Sequence, residues 1–122
     1  MEIENIKFKA KQLNSGEWFE GDLVRLGNRV CIGGDHIKDG ITDVDPSTVC
    51  MFTGLKDCEG NEIWEGDIIS SPHFERVATV KWDDSLCGFK CSDVTGNINF
   101  SFTAIAHCSE WSIVGNKFDK KK

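Results

Sequence analysis

Cysteine, histidine and carboxylate are the groups in this chain that could hold a metal, attack a carbonyl or move a proton. There are six Cys and three His among 122 residues. A zinc site needs ligand pairs at tight spacing, such as C-x2-C. Cys31, Cys50, Cys58, Cys87, Cys91 and Cys108 supply no such pair. The nearest two, Cys87 and Cys91, enclose Gly88-Phe89-Lys90, and His107-Cys108 stands alone. No histidine is placed in sequence to activate a thiol. The expectation is six reduced thiols, several buried as small apolar residues, with no metal and no other cofactor. The chain also lacks a P-loop, a nucleophile elbow, an H-E-x-x-H helix and a dinucleotide fingerprint. It therefore does not read as an enzyme.

The acids are placed differently, because two of them sit in a phrase that occurs twice. Gly16-Glu17-Trp18-Phe19-Glu20-Gly21-Asp22-Leu23-Val24 aligns, with one inserted residue, on Gly60-Asn61-Glu62-Ile63-Trp64-Glu65-Gly66-Asp67-Ile68-Ile69. Upstream, Phe8 aligns on Phe52, and the Gly-Asp steps lie 45 residues apart. A pattern repeated at such a period marks a supersecondary unit used twice. Gly permits close backbone approach, Asp bonds nearby N–H groups, and the flanking apolar residues suit a pleated surface. Glu20-Gly21-Asp22 and Glu65-Gly66-Asp67 thus read as a turn or bulge that feeds a strand in each half. Asp22 and Asp67 as paired catalytic acids would leave the glycines unexplained.

The elements around these phrases are short strands. Ile6-Lys7-Phe8-Lys9-Ala10 alternates apolar and basic residues, as a strand with one wet face does. Trp18 to Leu26 and Arg29 to Ile32 flank Gly27-Asn28, a tight-hairpin signal. Residues 33–47 are polar and read as a loop or lid, in which Asp35, His36 and Asp39 are solvated. Asp45-Pro46-Ser47-Thr48 suits a single helical turn. Strands follow at 49–52, 62–64, 66–69, 77–82 and 88–91. A hairpin is expected around Thr95-Gly96-Asn97 and a closing strand at 111–116. One or two helical turns fit at 102–108. The fold class is all-β, built of short-stranded antiparallel sheets. An N-terminal β-hairpin module (residues 1–51) precedes a small SH3-like β-barrel module (residues 52–119), and residues 120–122 form a disordered basic tail; the alternative is one compact unit overall.

Net charge is −6. Seven basic residues face eleven acidic ones before residue 61, and seven face nine after it. Phosphate binding normally takes a basic face, so the balance disfavours nucleic acid as a partner. No run approaches the roughly 18 apolar residues of a membrane span, and Met1-Glu2-Ile3-Glu4-Asn5 is too polar for a signal peptide. A cytosolic location without membrane association is expected.

The block Asp45-Pro46-Ser47-Thr48-Val49, then Phe52-Thr53-Gly54-Leu55-Lys56-Asp57, then Gly60 to Ile69, resembles the core signature of the YopX family. These are small proteins of bacterial phages and prophages. The opening Ile6 to Ala10 is similar to that family's start, and Ile113-Val114-Gly115-Asn116 to its end. Trp64 stands where the family often carries tyrosine, and the abundance of cysteine departs from its pattern. The resemblance implies a β-rich fold, a phage or mobile-element origin and a bacterial host cytosol. It brings no established activity and no catalytic residues.

The function expected is that of a non-catalytic module that binds a protein of host or phage. Trp18, Phe19, Phe74 and Trp111 are the candidate partner surface, because the chain carries more aromatics than a small core easily buries. Trp64 and Trp82 are assigned to the core. A homo-oligomer would bury the surplus equally well. The alternative is a nucleic-acid-binding accessory protein that uses Lys7, Lys9, Lys11 and Arg25 near Trp18 and Phe19.

Overall fold

The computed structural model describes residues 2–71, 74–85, 87–93, 99–101 and 111–119, with backbone alone at 74–76 and 99–101. The expected helical turns at 102–108, the turn at Thr95-Gly96-Asn97 and the tail at 120–122 lie outside these residues. The protein is all-β. The described strands are β1 (Phe8–Lys11), β2 (Trp18–Leu26), β3 (Arg29–Gly33), β4 (Ile41–Asp43), β5 (Cys50–Lys56), β6 (Glu62–Trp64), β7 (Asp67–Ser71), β8 (Phe74–Asp83), β9 (Gly88–Asp93), β10 (Asn99–Ser101) and β11 (Ser112–Asn116). The described helical structure consists of single 3-10 turns at Ile3–Asn5, Lys38–Gly40 and Pro46–Thr48. The chain divides into two compact units, Met1–Phe52 and Thr53–Lys122.

In the first unit the strand order is β4-β3-β2-β1, with the first residues of β5 beside β1. Alternation along β1 and β2 turns Phe8, Ala10, Phe19 and Leu23 to one face. There they meet Ile32, Ile37 and Val44 in a core where Ala10 and Ile32 are fully buried. Each such branched aliphatic contributes about 1.5–3 kcal/mol on burial. The stretch 33–47 is not the loop that its polar composition implies. Its three apolar anchors decide otherwise: Ile41 starts β4, which pairs Cys31↔Asp43 to Gly33↔Ile41, while Ile37 and Val44 enter the core. Asp45 caps the turn Pro46–Thr48 by accepting from Ser47 N at 3.0 Å, and Thr48 Oγ1 accepts the Lys11 N–H at 2.9 Å.

β2 changes partner in mid-strand. Its residues Trp18 to Gly21 pair with β1, and Asp22 to Leu26 pair with β3. Gly21 stands at the changeover, and the reason for glycine is proximity. A Cβ there would lie 2.2 Å from the carbonyl oxygen of Gly33. Of the turn or bulge expected, this copy is not a turn, since β2 runs through it as continuous strand.

In the second unit the last residues of β5 lie beside β6, and five strands run β10-β9-β8-β7-β11. Ile63, Ile69, Ala78, Val80, Cys91 and Trp111 form the core, with Leu55, Phe89 and Ile113 packed against it. The meander β7-β8-β9-β10 with β11 returning to β7 has the strand order of an SH3-like sheet. Among the described residues β10 and β11 do not pair, so no closed barrel is seen. Here the repeated phrase does make a turn. Gly66, at φ +88°, reverses the chain between β6 and β7, a backbone setting that favours glycine. Its N–H donates to Val80 O at 2.8 Å. The neighbouring Asp67 is buried and accepts from Trp64 N at 2.7 Å and from Asn116 Nδ2 at 3.0 Å.

Asp57 ties the loop before β6 to the closing strand. Its carboxylate accepts from Glu59 N and Asn61 N at 2.9 and 2.8 Å, and from Ile113 N at 3.2 Å. Burial alone would raise its pKa, but the bonds from Asn61, Ile113 and Glu59 outweigh it and hold the carboxyl below the ordinary Asp range. A depressed folded pKa gives stability that is present above the unfolded value, about 3.9, and lost as pH falls through the folded value. Asp57→Asn should cost about 1–3 kcal/mol at neutral pH and flatten the loss of stability below about pH 4. Urea unfolding across pH checks this. Gly21→Ala should cost about 1–3 kcal/mol through overpacking. Gly33→Ala, whose Cβ meets nothing nearer than 3.4 Å, should cost a fraction of that in the same assay.

Candidate functional site

Exposed aromatic side chains are the features of this surface with binding energy to offer, and their positions follow from strand alternation. Of the four aromatics read as a partner surface, Trp18 is half-buried. It lies on the lysine face of β2, with Lys9 Nζ 4.6 Å and Lys11 Nζ 5.3 Å from its ring centroid. Phe19, one residue on, points to the opposite face and packs on the first core. Trp111 is corrected from surface to core. It is 7% exposed and sits beside Ile69 and Val80, because β11 pairs with β7 and brings the residue ahead of Ser112 over the sheet. The backbone of Phe74 lies in β8, and its side chain is outside the described residues.

Trp82 is corrected in the other direction. It is 45% exposed. Ala78 and Val80 on the same face are fully buried, but β8 continues past the rim of the core before it turns at Asp83. The indole is nonetheless held in place. Nε1 donates to Asp84 Oδ1 at 2.7 Å, and the ring meets Phe89 edge-on at a centroid distance of 5.3 Å. Phe89 is its cross-strand partner on β9. Asp83, whose pKa lies well below the ordinary range through bonds from Ser85 and Lys90, fixes the adjoining turn. The aromatic pair therefore stands on a braced hairpin end. The signal in the sequence was the position of Trp82 immediately before Asp83-Asp84-Ser85. A strand-end aromatic next to a turn lies outside the layer that buries its strand.

Of the repeated phrase, Gly66 turns the chain and Asp67 accepts N–H groups from Trp64 and Asn116. Glu20 is exposed, lies 3.9 Å from Lys7, and its backbone oxygen is 2.7 Å from His36 Nε2. Asp22 is exposed, Glu65 half-buried and Asp67 buried. His36, Asp35 and Asp39 are exposed on the segment leading to β4. Arg25, seven residues from Trp18 along β2, falls on the opposite face by alternation and is not brought to the lysines of β1. Among the described residues no group of three His, Cys, Asp or Glu is arranged to hold a metal ion. No helix among them is long and apolar enough to cross a membrane.

The thiols divide by burial. Cys31, Cys50 and Cys91 are buried, and Cys58 and Cys87 are exposed. Burial pushes the Cys91 thiol up to about 12. Cys31 is raised by burial and by its bond to Asp43 Oδ1 at 3.1 Å, an atom that also accepts from Arg29 Nε at 2.9 Å. Raised thiols are protonated and poor nucleophiles.

The family model described as YopX protein matches residues 3–121, and the chain belongs to the YopX family. No curated protein matches it. The family's core string is now legible as scaffold: Asp45 caps, Thr48 receives β1, Asp57 ties the closing strand, Gly66 turns the chain and Asp67 seals the turn.

Brief alkylation of the native protein at about pH 8, followed by peptide mass spectrometry, should label Cys58 and Cys87. Cys31, Cys50 and Cys91 should react only after unfolding.

Proposed function

We propose that this YopX-family protein is a non-catalytic interaction module that acts on a protein of a bacterial host or its phage from within the host cytosol. The observation that carries the reading is Trp82, exposed yet held by Asp84 and Phe89. An indole fixed in one rotamer loses little conformational entropy when a partner covers it, and Trp is enriched among the residues that dominate interface energies. Asp45, Asp57 and Asp67 of the family's core string support the same reading, since each is engaged in accepting backbone N–H groups. A second copy of the chain is one candidate partner, and sedimentation at rising concentration distinguishes it from a foreign protein.

The decisive comparison is affinity capture from host lysate with the parent protein and with Trp82→Ala. A stoichiometric partner retained by the first should be weakened about 30-fold by the second, the loss of a hot spot worth about 2 kcal/mol. Unchanged melting of the variant establishes that the surface, not the fold, was lost. Equal capture by both proteins would refute Trp82 as the anchor.

A further inference from the structure

We infer that the end of the β8–β9 hairpin takes an arginine side chain of the partner protein, its guanidinium stacked on Trp82 and paired with Asp84. The inference rests on the reading of Trp82 as the anchor of the interaction, and it names the chemistry that meets that anchor. The first observation is the fixed distance between ring and acid. Indole Nε1 donates to Asp84 Oδ1 at 2.7 Å, Trp82 is 45% exposed, and Asp84 is exposed beside it. A surface that covers the indole therefore covers this carboxylate as well. An ionised carboxylate taken out of water without a compensating partner is costly, so a purely apolar cover is disfavoured. The occupant must bring hydrogen-bond donors, and a positive charge suits the site best.

The second observation is which charges at this hairpin end are already matched. Asp83 accepts from Ser85 N at 2.8 Å and lies 2.9 Å from Lys90 Nζ. Lys81 and Lys90 are cross-strand neighbours, one register position before the pair Trp82 and Phe89. Alternation therefore turns both lysines to the face opposite the indole. Asp84 is left as the acid beside the ring, and among the described residues no cation pairs with it. Its Oδ1 holds the indole, while a carboxylate offers about four lone-pair sites over its two oxygens. It can accept from a guanidinium without releasing Trp82. The net charge of −6 on the chain favours the approach of a basic segment.

The combination of ring and acid selects arginine. A guanidinium is planar, stacks flat on an aromatic face and donates N–H groups from its edge at the same time. A lysine ammonium is a strongly hydrated point charge that lacks this flat face. A phosphate or an acidic peptide would meet Asp84 as a like charge. The ring is also held ready, by Asp84 and by Phe89 at a centroid distance of 5.3 Å and an interplanar angle of 85°, so little is lost in ordering it.

The test is titration of the nitrogen-15-labelled full chain with N-acetyl-arginine amide at low salt, followed by NMR at the indole N–H signals. The chain has four Trp. Trp82→Phe, which keeps a ring against Phe89, identifies the Trp82 signal by its loss. That signal should shift saturably with arginine while the other three stay in place. The citrulline analogue, which has the shape of arginine without its charge, should bind about tenfold more weakly or worse. Asp84→Asn still offers an oxygen to the indole N–H, and it should weaken arginine binding by about tenfold. Circular dichroism melts establish that the variants fold, and the comparison of arginine with citrulline on the parent protein decides if Asp84→Asn does not. An unmoved Trp82 signal, equal shifts with arginine and citrulline, or parental binding by folded Asp84→Asn would overturn the inference. Should any of these occur while Trp82→Ala still loses the captured partner, Trp82 stands as the anchor and arginine alone is refuted.

Discussion

Backbone groups at a buried turn or at a close passage of strands must be accommodated, and in each unit of this protein a glycine of the repeated phrase stands at such a point. In the first unit β2 passes from β1 to β3 without a break, and the backbone of Gly33 comes so close that only a hydrogen fits at Gly21. In the second the chain leaves β6, reverses at Gly66 and enters β7. Asp67 then binds the N–H of Trp64 that the reversal would otherwise strand inside the protein. The same three-residue phrase therefore does different work in its two copies, close passage in one and a turn in the other. An unpaired buried N–H costs about 1–3 kcal/mol, so a short acceptor next to the glycine is worth its place.

The other prominent acids extend that logic. Asp57 gathers N–H groups from its own loop and from β11, 56 residues away in sequence. Asp45 caps a turn whose Thr48 hydroxyl then receives the Lys11 N–H of β1. Asp43 accepts from both Arg29 and Cys31, with its carboxyl lowered first by the thiol bond and then by the guanidinium. These carboxylates act by being ionised and directional, which makes small β units with modest cores depend on them.

Much of this was legible before any coordinates. The limits of β2 were readable from the Trp18 to Leu26 run, and the two-residue Gly27-Asn28 link gave the hairpin register Leu26↔Arg29. The capped turn at Pro46–Thr48 followed from Asp, Pro and Ser in order. Composition misled at residues 33–47, because polar residues outnumber the three apolar ones that anchor β4 and reach the core. It misled again at Trp82 and Trp111, since an aromatic's depth depends on where its strand ends relative to the neighbouring layer.

What the sequence determined by itself was the all-β class, the duplicated phrase, the alternation of β1 and the family. All four rest on local periodicity or on residue order, which a linear string contains. Only the tertiary structure decided which indole is covered, that Asp57 reaches β11, that Gly21 is needed for the passage of Gly33 and not for a turn, and that Lys9 and Lys11 share one ring. Those facts depend on segments far apart in the chain meeting at distances of a few ångström, and no local pattern encodes the distance.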